Sequence, residues 1–341
     1  AIVAQLVERD LAKVEATGSN PVNRSSFFSE CKMKKLLIAS LFLFNLYLYS
    51  DTCEHSIWGE TDELGNANLL KPELVIKASK LIKSGKVYSL GLVVDQNTPA
   101  YPPRSLSLNV IQPTQQFGKL AFPNATYNDD LFHGWLGIGS QIDGLGHIGD
   151  PDAIFYNCHD GKEFSETTGL TKLGIEKIPP IVTRGIVIDI AKYFNKKYLE
   201  VGETFDVDDV IGALSAQKLS IDEGDVVIFH TGWTEAKYIS DPTTWGAGTP
   251  GPTAEVSEFL ASKNVVAAGA DTWSYDVVPP IDLDEPYPGH QILLKENGIY
   301  ILEAMNTGKL VEDKVYEFLF VLGQAKVRGA VQMIVNPIAI N

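Results

Sequence analysis

Two uninterrupted apolar runs constrain this chain more than any other feature. Gly185-Ile186-Val187-Ile188-Asp189-Ile190 follows Arg184, and Val226-Val227-Ile228-Phe229 lies between Asp225 and His230-Thr231-Gly232-Trp233. Neither alternates polar with apolar positions. A strand reads this way when both of its faces are buried, as in a sheet covered by helices on two sides. Helical periods fall between such runs. One covers residues 68–84, with Leu74, Ala78, Leu81 and Ile82 on one face. Another covers Val207–Gln217, opened by Asp206 as an N-cap, and a third covers Thr253–Lys263. Further strands are expected at Val87–Val94, Val265–Gly269, Tyr300–Glu303, Tyr316–Val321 and Gly329–Val335, with a short helical turn or loop at His290–Glu296. Helices alternating with apolar strands give an α/β class. Residues 95–132, rich in Pro, Asn and Gln, read as long loops or short strands over a site.

The N-terminal portion has a different character. Lys34-Lys35 precedes roughly 14 mostly apolar residues ending at Tyr49, which fits a secretory signal peptide over residues 33–50. The run is shorter than the ~20 residues of a membrane span, so no stable membrane insertion is expected after cleavage. Residues 1–32, ahead of Met33, read as a mis-called extension. One domain is then expected over residues 51–341, since no compositional break marks a linker. The expected location is exported, periplasmic or extracellular. The cysteines (Cys31, Cys53, Cys158) form no CxxC or zinc pattern, and Cys53 and Cys158 are as compatible with one disulfide as with two free thiols. The net charge of −15 argues against a nucleic-acid binder or a partner of anionic membranes, both of which need a basic face.

The chemistry-bearing residues cluster in two places. In Ser140-Gln141-Ile142-Asp143-Gly144-Leu145-Gly146-His147, an extended backbone puts Gln141 and Asp143 on one face. Two oxygen donors there suit a hard or borderline divalent cation. The second cluster is His290, after a Pro/Gly turn, and Glu303, a carboxylate ending a short apolar strand. A carboxylate in that position is costly unless paired or metal-bound. Gly144–Gly149 matches G-x-G-x-x-G, but polar residues precede it and Asp150-Pro151 follows, so a dinucleotide site is not expected. There is no G-x-S-x-G. His55, His133, His159 and His230 read first as structural. His230 and Trp233, at a strand end, are candidates for a pocket wall, and Asp271 for orienting the site. Trp233, Trp273 and Tyr275 are candidates for stacking on an aromatic substrate.

At these residues the sequence resembles the cyclase family, which includes bacterial kynurenine formamidases and isatin hydrolases. The family signature His-x-Gly-Thr-His-x-Asp-x-x-x-His places its last two elements on Asp143 and His147. Its second histidine falls on Gln141, its threonine on Ser140, and its first histidine on Gly137, which cannot bind a metal. The Val182–Gly185, Gly224–Trp233, Ala268–Thr272, His290–Glu303 and Pro337–Ala339 segments are similar as well. The resemblance implies a compact swivelling β/β/α-type domain, usually in dimers or higher oligomers, with Zn²⁺ or Mn²⁺. By carry-over Asp143, His290 and Glu303 are metal ligands, Gln141 takes a ligand position through its amide oxygen, and His147 transfers protons. One metal is expected, with Mn²⁺ favoured by the oxygen donors. The implied activity is hydrolysis of an amide bond of a small molecule by metal-activated water, with His147 as general base. An aryl formamide such as N-formylkynurenine, an intermediate of tryptophan catabolism, is the substrate in view. The alternatives are another cyclic amide, lactone or ester, and a metal-free binding protein, which the changes at positions 137 and 141 motivate.

Overall fold

A computed structural model describes residues 53–111 and 128–341. The expected extension over residues 1–32, the expected signal peptide over 33–50 and Cys31 lie outside the described residues. Residues Cys53–Asn341 form one compact unit. Its centre is a nine-stranded sheet whose strands we label with a separate hairpin. They are β1 (Val87–Ser89), β2 (Leu106–Ile111) and β3 (Asp129–Gly134), which form the hairpin, β4 (Gln141–Asp143), β5 (Ile181–Asp189), β6 (Val226–His230), β7 (Ala267–Ala270), β8 (Tyr300–Glu303), β9 (Glu317–Leu322), β10 (Gln332–Ile334) and β11 (Ile338–Ile340). The sheet order is β1-β11-β9-β5-β6-β7-β8-β4-β10.

The two apolar runs are β5 and β6, adjacent and parallel at the middle of the sheet, with Ile186 through Ile188 and Val226 through Phe229 fully buried. β7 and β8 continue the parallel order, and every other pairing in the sheet is antiparallel. The parallel strands all end on one side, at His230, Ala270 and Glu303. β4 runs against β8 with Gln141 opposite Glu303, so it begins at that same side. Ligand sites in open α/β sheets form at the carboxyl ends of parallel strands, and here the antiparallel neighbour adds its own residues to that edge.

Helix α1 (Pro72–Ser79) packs on β5. Helix α2 (Val207–Gln217) carries a capping box, in which Asp206 accepts from the Asp209 amide at 3.0 Å and Asp209 accepts from the Asp206 amide at 3.1 Å. Helix α3 (Trp233–Lys237) follows β6, and α4 (Pro242–Ala247) follows it. Helix α5 (Ala254–Ser262) packs against α2 and against α6, which starts at Pro288–His290 and continues as a π-helical turn through Glu296.

Two elements are shorter than the sequence suggests. The 68–84 period resolves into a 3₁₀ turn at Gly65–Leu69 and the helix Pro72–Ser79, because Pro72 fits only the first turn of a helix; Ile82 is exposed. The strand expected at Val87–Val94 pairs only to Ser89. Beyond it the backbone finds other partners: Leu90 N bonds Pro337 O at 2.8 Å, Gly91 N bonds Asn336 Oδ1 at 2.9 Å, and Leu92 N bonds Ser140 Oγ at 2.8 Å. Cys53 and Cys158 form a disulfide across 105 residues. Among the described residues, no helix is long and apolar enough to cross a membrane.

Candidate active site

Three neighbouring strands build the floor of the site. Gln141 and Asp143 lie on one face of β4 while Ile142 packs into the core. Glu303 on β8 stands opposite Gln141, and Gln332 on β10 stands opposite Asp143. All four side chains are buried. The Gln141 amide nitrogen donates to Glu303 Oε2 at 2.8 Å and to Asp143 Oδ1 at 3.1 Å, and Gln332 Nε2 donates to the same Asp143 Oδ1 at 2.7 Å. Carboxylate oxygens only accept, so both glutamines must present nitrogen to them. Gln141 therefore bridges two carboxylates here, and offering its oxygen to a cation, the role expected from the sequence, would require the amide to turn over.

Two histidines close over this floor. His290 reaches in from α6. Its Nδ1 sits 2.5 Å from Asp276 Oδ2, while its Nε2 lies 3.4 Å from Glu303 Oε1 and 3.8 Å from Asp143 Oδ2. Asp276 also accepts from the Gly289 and His290 amides at 2.7 and 3.1 Å, which fixes the start of α6. A carboxylate on Nδ1 commits the other ring nitrogen to whatever binds in front of it, as in carboxylate–histidine–metal arrangements. Burial works against a charge on His290, but the hydrogen bonds to Asp276 and Glu303 prevail and hold its pKa well above 6.5. Burial raises the Glu303 pKa, the Asp143 charge adds to this, and His290 opposes it. His147 follows the tight turn after β4, with its ring centroid 6.0 Å from that of His290. Burial lowers its pKa to about 4; Asp143 pulls upward, and His290 and Arg104 push down.

Asp143, His147 and His290 bring ligand-type atoms within 4.8 Å of one another. Asp143 Oδ2 is buried with no hydrogen-bond partner among the described residues, although Oδ1 of the same carboxylate accepts two N–H groups. A buried carboxylate oxygen left bare is costly unless a cation occupies the space before it. With His290 Nε2 facing Asp143 and Glu303, and the Glu303 carboxylate beside it, the donor set fits a divalent cation.

Above the floor opens a cavity of ≈ 210 Å³, lined by Tyr101, Arg104, Trp273 and Tyr287 together with His147, Ile148, Ser274, His290 and Glu303. This is below the roughly 300–1,000 Å³ usual for drug-sized ligands, so a molecule of one or two small rings fits it best.

The Cyclase family profile matches residues 88–277. The chain belongs to the cyclase family. It is similar to a crystal structure described as a novel cyclase, with a TM-score of 0.75 and 29% identity over 83% of this chain and 98% of that one. Isatin hydrolase A from Ralstonia solanacearum shares the fold at a TM-score of 0.56 and 19% identity, covering 75% of this chain and 92% of that one. An isatin hydrolase of Roseibium aggregatum is 30% identical over 107 residues, a stretch that spans 30% of this chain and 40% of that relative.

Within this cyclase-family fold a side chain at the position of the first signature histidine would meet the Gln332 amide. A Cβ on Gly137 would lie 2.4 Å from Gln332 Oε1, so the Gln332 side chain fills the space a residue there would need.

Of the residues read from the sequence, Gln141, Asp143, His147, His290 and Glu303 converge. Trp273 lines the cavity. Trp233 and Tyr275 do not line it. Trp233 is fully buried in a satellite cluster with Trp245 and Ala304. Tyr275 is buried with its hydroxyl against Ser257 at 3.3 Å, and it serves the site through its backbone, whose N–H donates to Glu303 Oε1 at 2.8 Å. His230 and Asp271 stand at the ends of β6 and β7 but outside the cavity lining. Sequence reasoning passed over Gln332, Asp276, Arg104, Tyr101 and Tyr287. A buried-strand run broken by one amide, Val331-Gln332-Met333-Ile334, was the available signal for Gln332.

Proposed function

We propose that this chain is a metal-dependent hydrolase of amide C–N bonds in a small aromatic molecule, with an aryl formamide such as N-formylkynurenine as the first candidate substrate. The observation that carries this reading is the bare, buried Asp143 Oδ2 facing His290 Nε2 beneath an aromatic-walled cavity. A divalent ion, Mn²⁺ or Zn²⁺, held by Asp143, His290 and Glu303 would supply Lewis acidity that acidifies a water and polarises a carbonyl. The protein does the rest. His147, neutral well below physiological pH, accepts the proton from the attacking water and passes it to the departing nitrogen. Asp276 keeps the His290 ring oriented. Tyr101 and Trp273, whose centroids lie 5.7 Å apart, offer faces to an aromatic ring.

A second reading, hydrolysis of a cyclic amide, lactone or ester, is favoured by the stretch 30% identical to an isatin hydrolase. Export from the cytoplasm is also part of the proposal, and the Cys53–Cys158 disulfide supports it because such bonds persist in oxidising compartments. So is a homo-oligomer, dimer or tetramer, supported by the exposed Leu108, Val110, Leu131 and Phe132 on the β2–β3 hairpin.

Elemental analysis of the purified protein, followed by turnover of a panel containing an aryl formamide, a lactam, a lactone and an ester, tests the reading. About one Mn²⁺ or Zn²⁺ per chain with hydrolysis of the formamide supports it. Turnover of the lactam alone moves the second reading to first place. Absence of metal after incubation with either ion leaves the metal-free binding protein.

A further inference from the structure

Arg104 carries a charge that the floor of the site does not neutralise. It lines the cavity together with His147, His290 and Glu303, and it is the one Lys or Arg among the lining residues. Its Nη1 donates to the Gly137 carbonyl at 2.6 Å. Among the described residues no carboxylate comes within 4.0 Å of it, although Asp143, Glu303 and Asp276 are grouped nearby around His290. A guanidinium has five N–H donors in a rigid fork, and one bond to a carbonyl leaves most of them for another acceptor.

The surroundings narrow what that acceptor is. Tyr101, three residues before Arg104, pairs with Trp273 on the wall of the same cavity. An aromatic ring held against them sits beside the guanidinium. The floor carboxylates Asp143 and Glu303 would repel an anionic ligand, and a single divalent ion that offset them would leave no positive charge over for one. A fixed cation at the wall is what lets an anion enter a site of this composition, and a neutral ligand has no use for it.

We infer that Arg104 is a specificity-determining residue that reads a carboxylate carried by the aromatic substrate, on its ring or on a side chain of the ring, so that acidic aryl amides are taken in preference to neutral ones. For turnover the inference rests on the amide-hydrolase reading above; for binding it stands without it. The competing role is a scaffold that merely holds the Gly137 carbonyl.

Calorimetric titration with benzoate and with benzamide, on the Mn²⁺-loaded and the metal-free protein, separates the two. The wild-type protein should bind benzoate at least about tenfold more tightly than benzamide in both forms. Arg104→Gln should weaken benzoate by about tenfold to a hundredfold, the range for a lost charge-assisted contact, and benzamide far less. Arg104→Lys should fall between, keeping the charge but losing the planar fork. Benzoate binding that survives Arg104→Gln intact would mean the carboxylate is held by the metal alone and would overturn the inference. Equal losses for both ligands, with a lowered Tm, would assign Arg104 to the scaffold and overturn it too. Turnover of 2-formamidobenzoate against formanilide then carries the result to the reaction. If neither is hydrolysed while Arg104 still discriminates in binding, the reaction assignment fails and the role of Arg104 stands.

Discussion

Two clusters at the same edge of the sheet combine histidine with two carboxylates, two histidines in one and a single histidine in the other, and they are built for opposite ends. In the first, Asp143, His147 and His290 converge with Glu303 alongside; in the second, His230, Glu235 and Asp271 bring ligand-type atoms within the same 4.8 Å. The difference lies in how the oxygens are satisfied. Asp271 Oδ1 accepts from Thr231 N at 2.9 Å and Thr231 Oγ1 at 2.6 Å, and Oδ2 accepts from Gly232 N at 2.7 Å. Glu235 accepts from Gly308 N at 2.6 Å, and His230 Nδ1 meets Thr307 Oγ1 at 2.8 Å. Both oxygens of the buried Asp271 are therefore occupied, and no buried polar atom of this cluster is left bare. Asp271 folds the turn after β6, where Gly232 adopts φ +75° and a Cβ would lie 2.3 Å from Lys197 O. In the first cluster Asp143 has one oxygen doubly bonded and the other bare. Residue type alone does not separate a site from a structural knot; the accounting of lone pairs does.

The sharpest way to break this comparison is to remove one carboxylate from each cluster. Asp143→Ala should abolish metal binding, with stoichiometry by elemental analysis falling from about one ion to none, while the fold persists because the Gln141 amide keeps Glu303 as an acceptor and the repulsion between two neighbouring buried carboxylates is relieved. Asp271→Ala should do the reverse: metal retained by whatever protein folds, but stability lowered by about 3 kcal/mol or more, because buried N–H groups of Thr231 and Gly232 lose their acceptor. Metal loss in Asp271→Ala without a change in the urea midpoint would erase the distinction drawn here.

Within the first cluster, residues should separate by task. His147→Ala should keep its metal and lose about 10²–10⁴-fold in kcat on whichever panel substrate is hydrolysed, the range for a proton-transfer residue. Because burial holds its pKa near 4, the acid limb of the wild-type pH–rate profile should fall near or below pH 4, not at 6.5, and a bound cation would push it lower still. Asp276→Asn touches no ligand position. It loosens the His290 ring and should weaken metal affinity by about 10–100-fold, measured by competition with a chelator, while kcat at saturating metal changes less.

How far this arrangement could be read from the chain follows the same logic. Gln141 and Asp143 two apart on a strand, and Glu303 ending an apolar run, were legible because a period of two and a misplaced carboxylate are local signals. The α2 helix was legible to its cap. Gln332 was not, since an amide in a strand costs less than a charge and only the β10–β4 register puts it against Asp143. Asp276 was hidden because its partner is fourteen residues on and is reached through the start of a helix. Trp233 and Tyr275 were read as walls of a pocket because they are aromatic and near the right strands, but what buries them comes from other segments: Trp245 for one, Ser257 and Phe229 for the other.

The smallest expected effect probes the second cluster through pH. Burial pushes the Asp271 carboxyl up to about 6, against the hydrogen bonds from Thr231 and Gly232, which pull it down. An unfolded aspartate titrates near ~3.9, so between about pH 4 and 6 the native state binds more protons than the unfolded state. Stability from this group is then greatest at the acid end and falls as pH rises through that window, levelling above about 6. Other groups titrate over the same range, so the measurement is a difference: urea unfolding at several values from pH 4 to 7 for the wild type and for Asp271→Asn, which stays neutral throughout. The stability advantage of wild type over variant should shrink as pH rises from 4 to 6 and then stay constant. A difference that grows with pH instead would mean the N–H groups of the turn hold Asp271 ionised below its ordinary pKa, and the second cluster would then be a preformed anion held by its backbone.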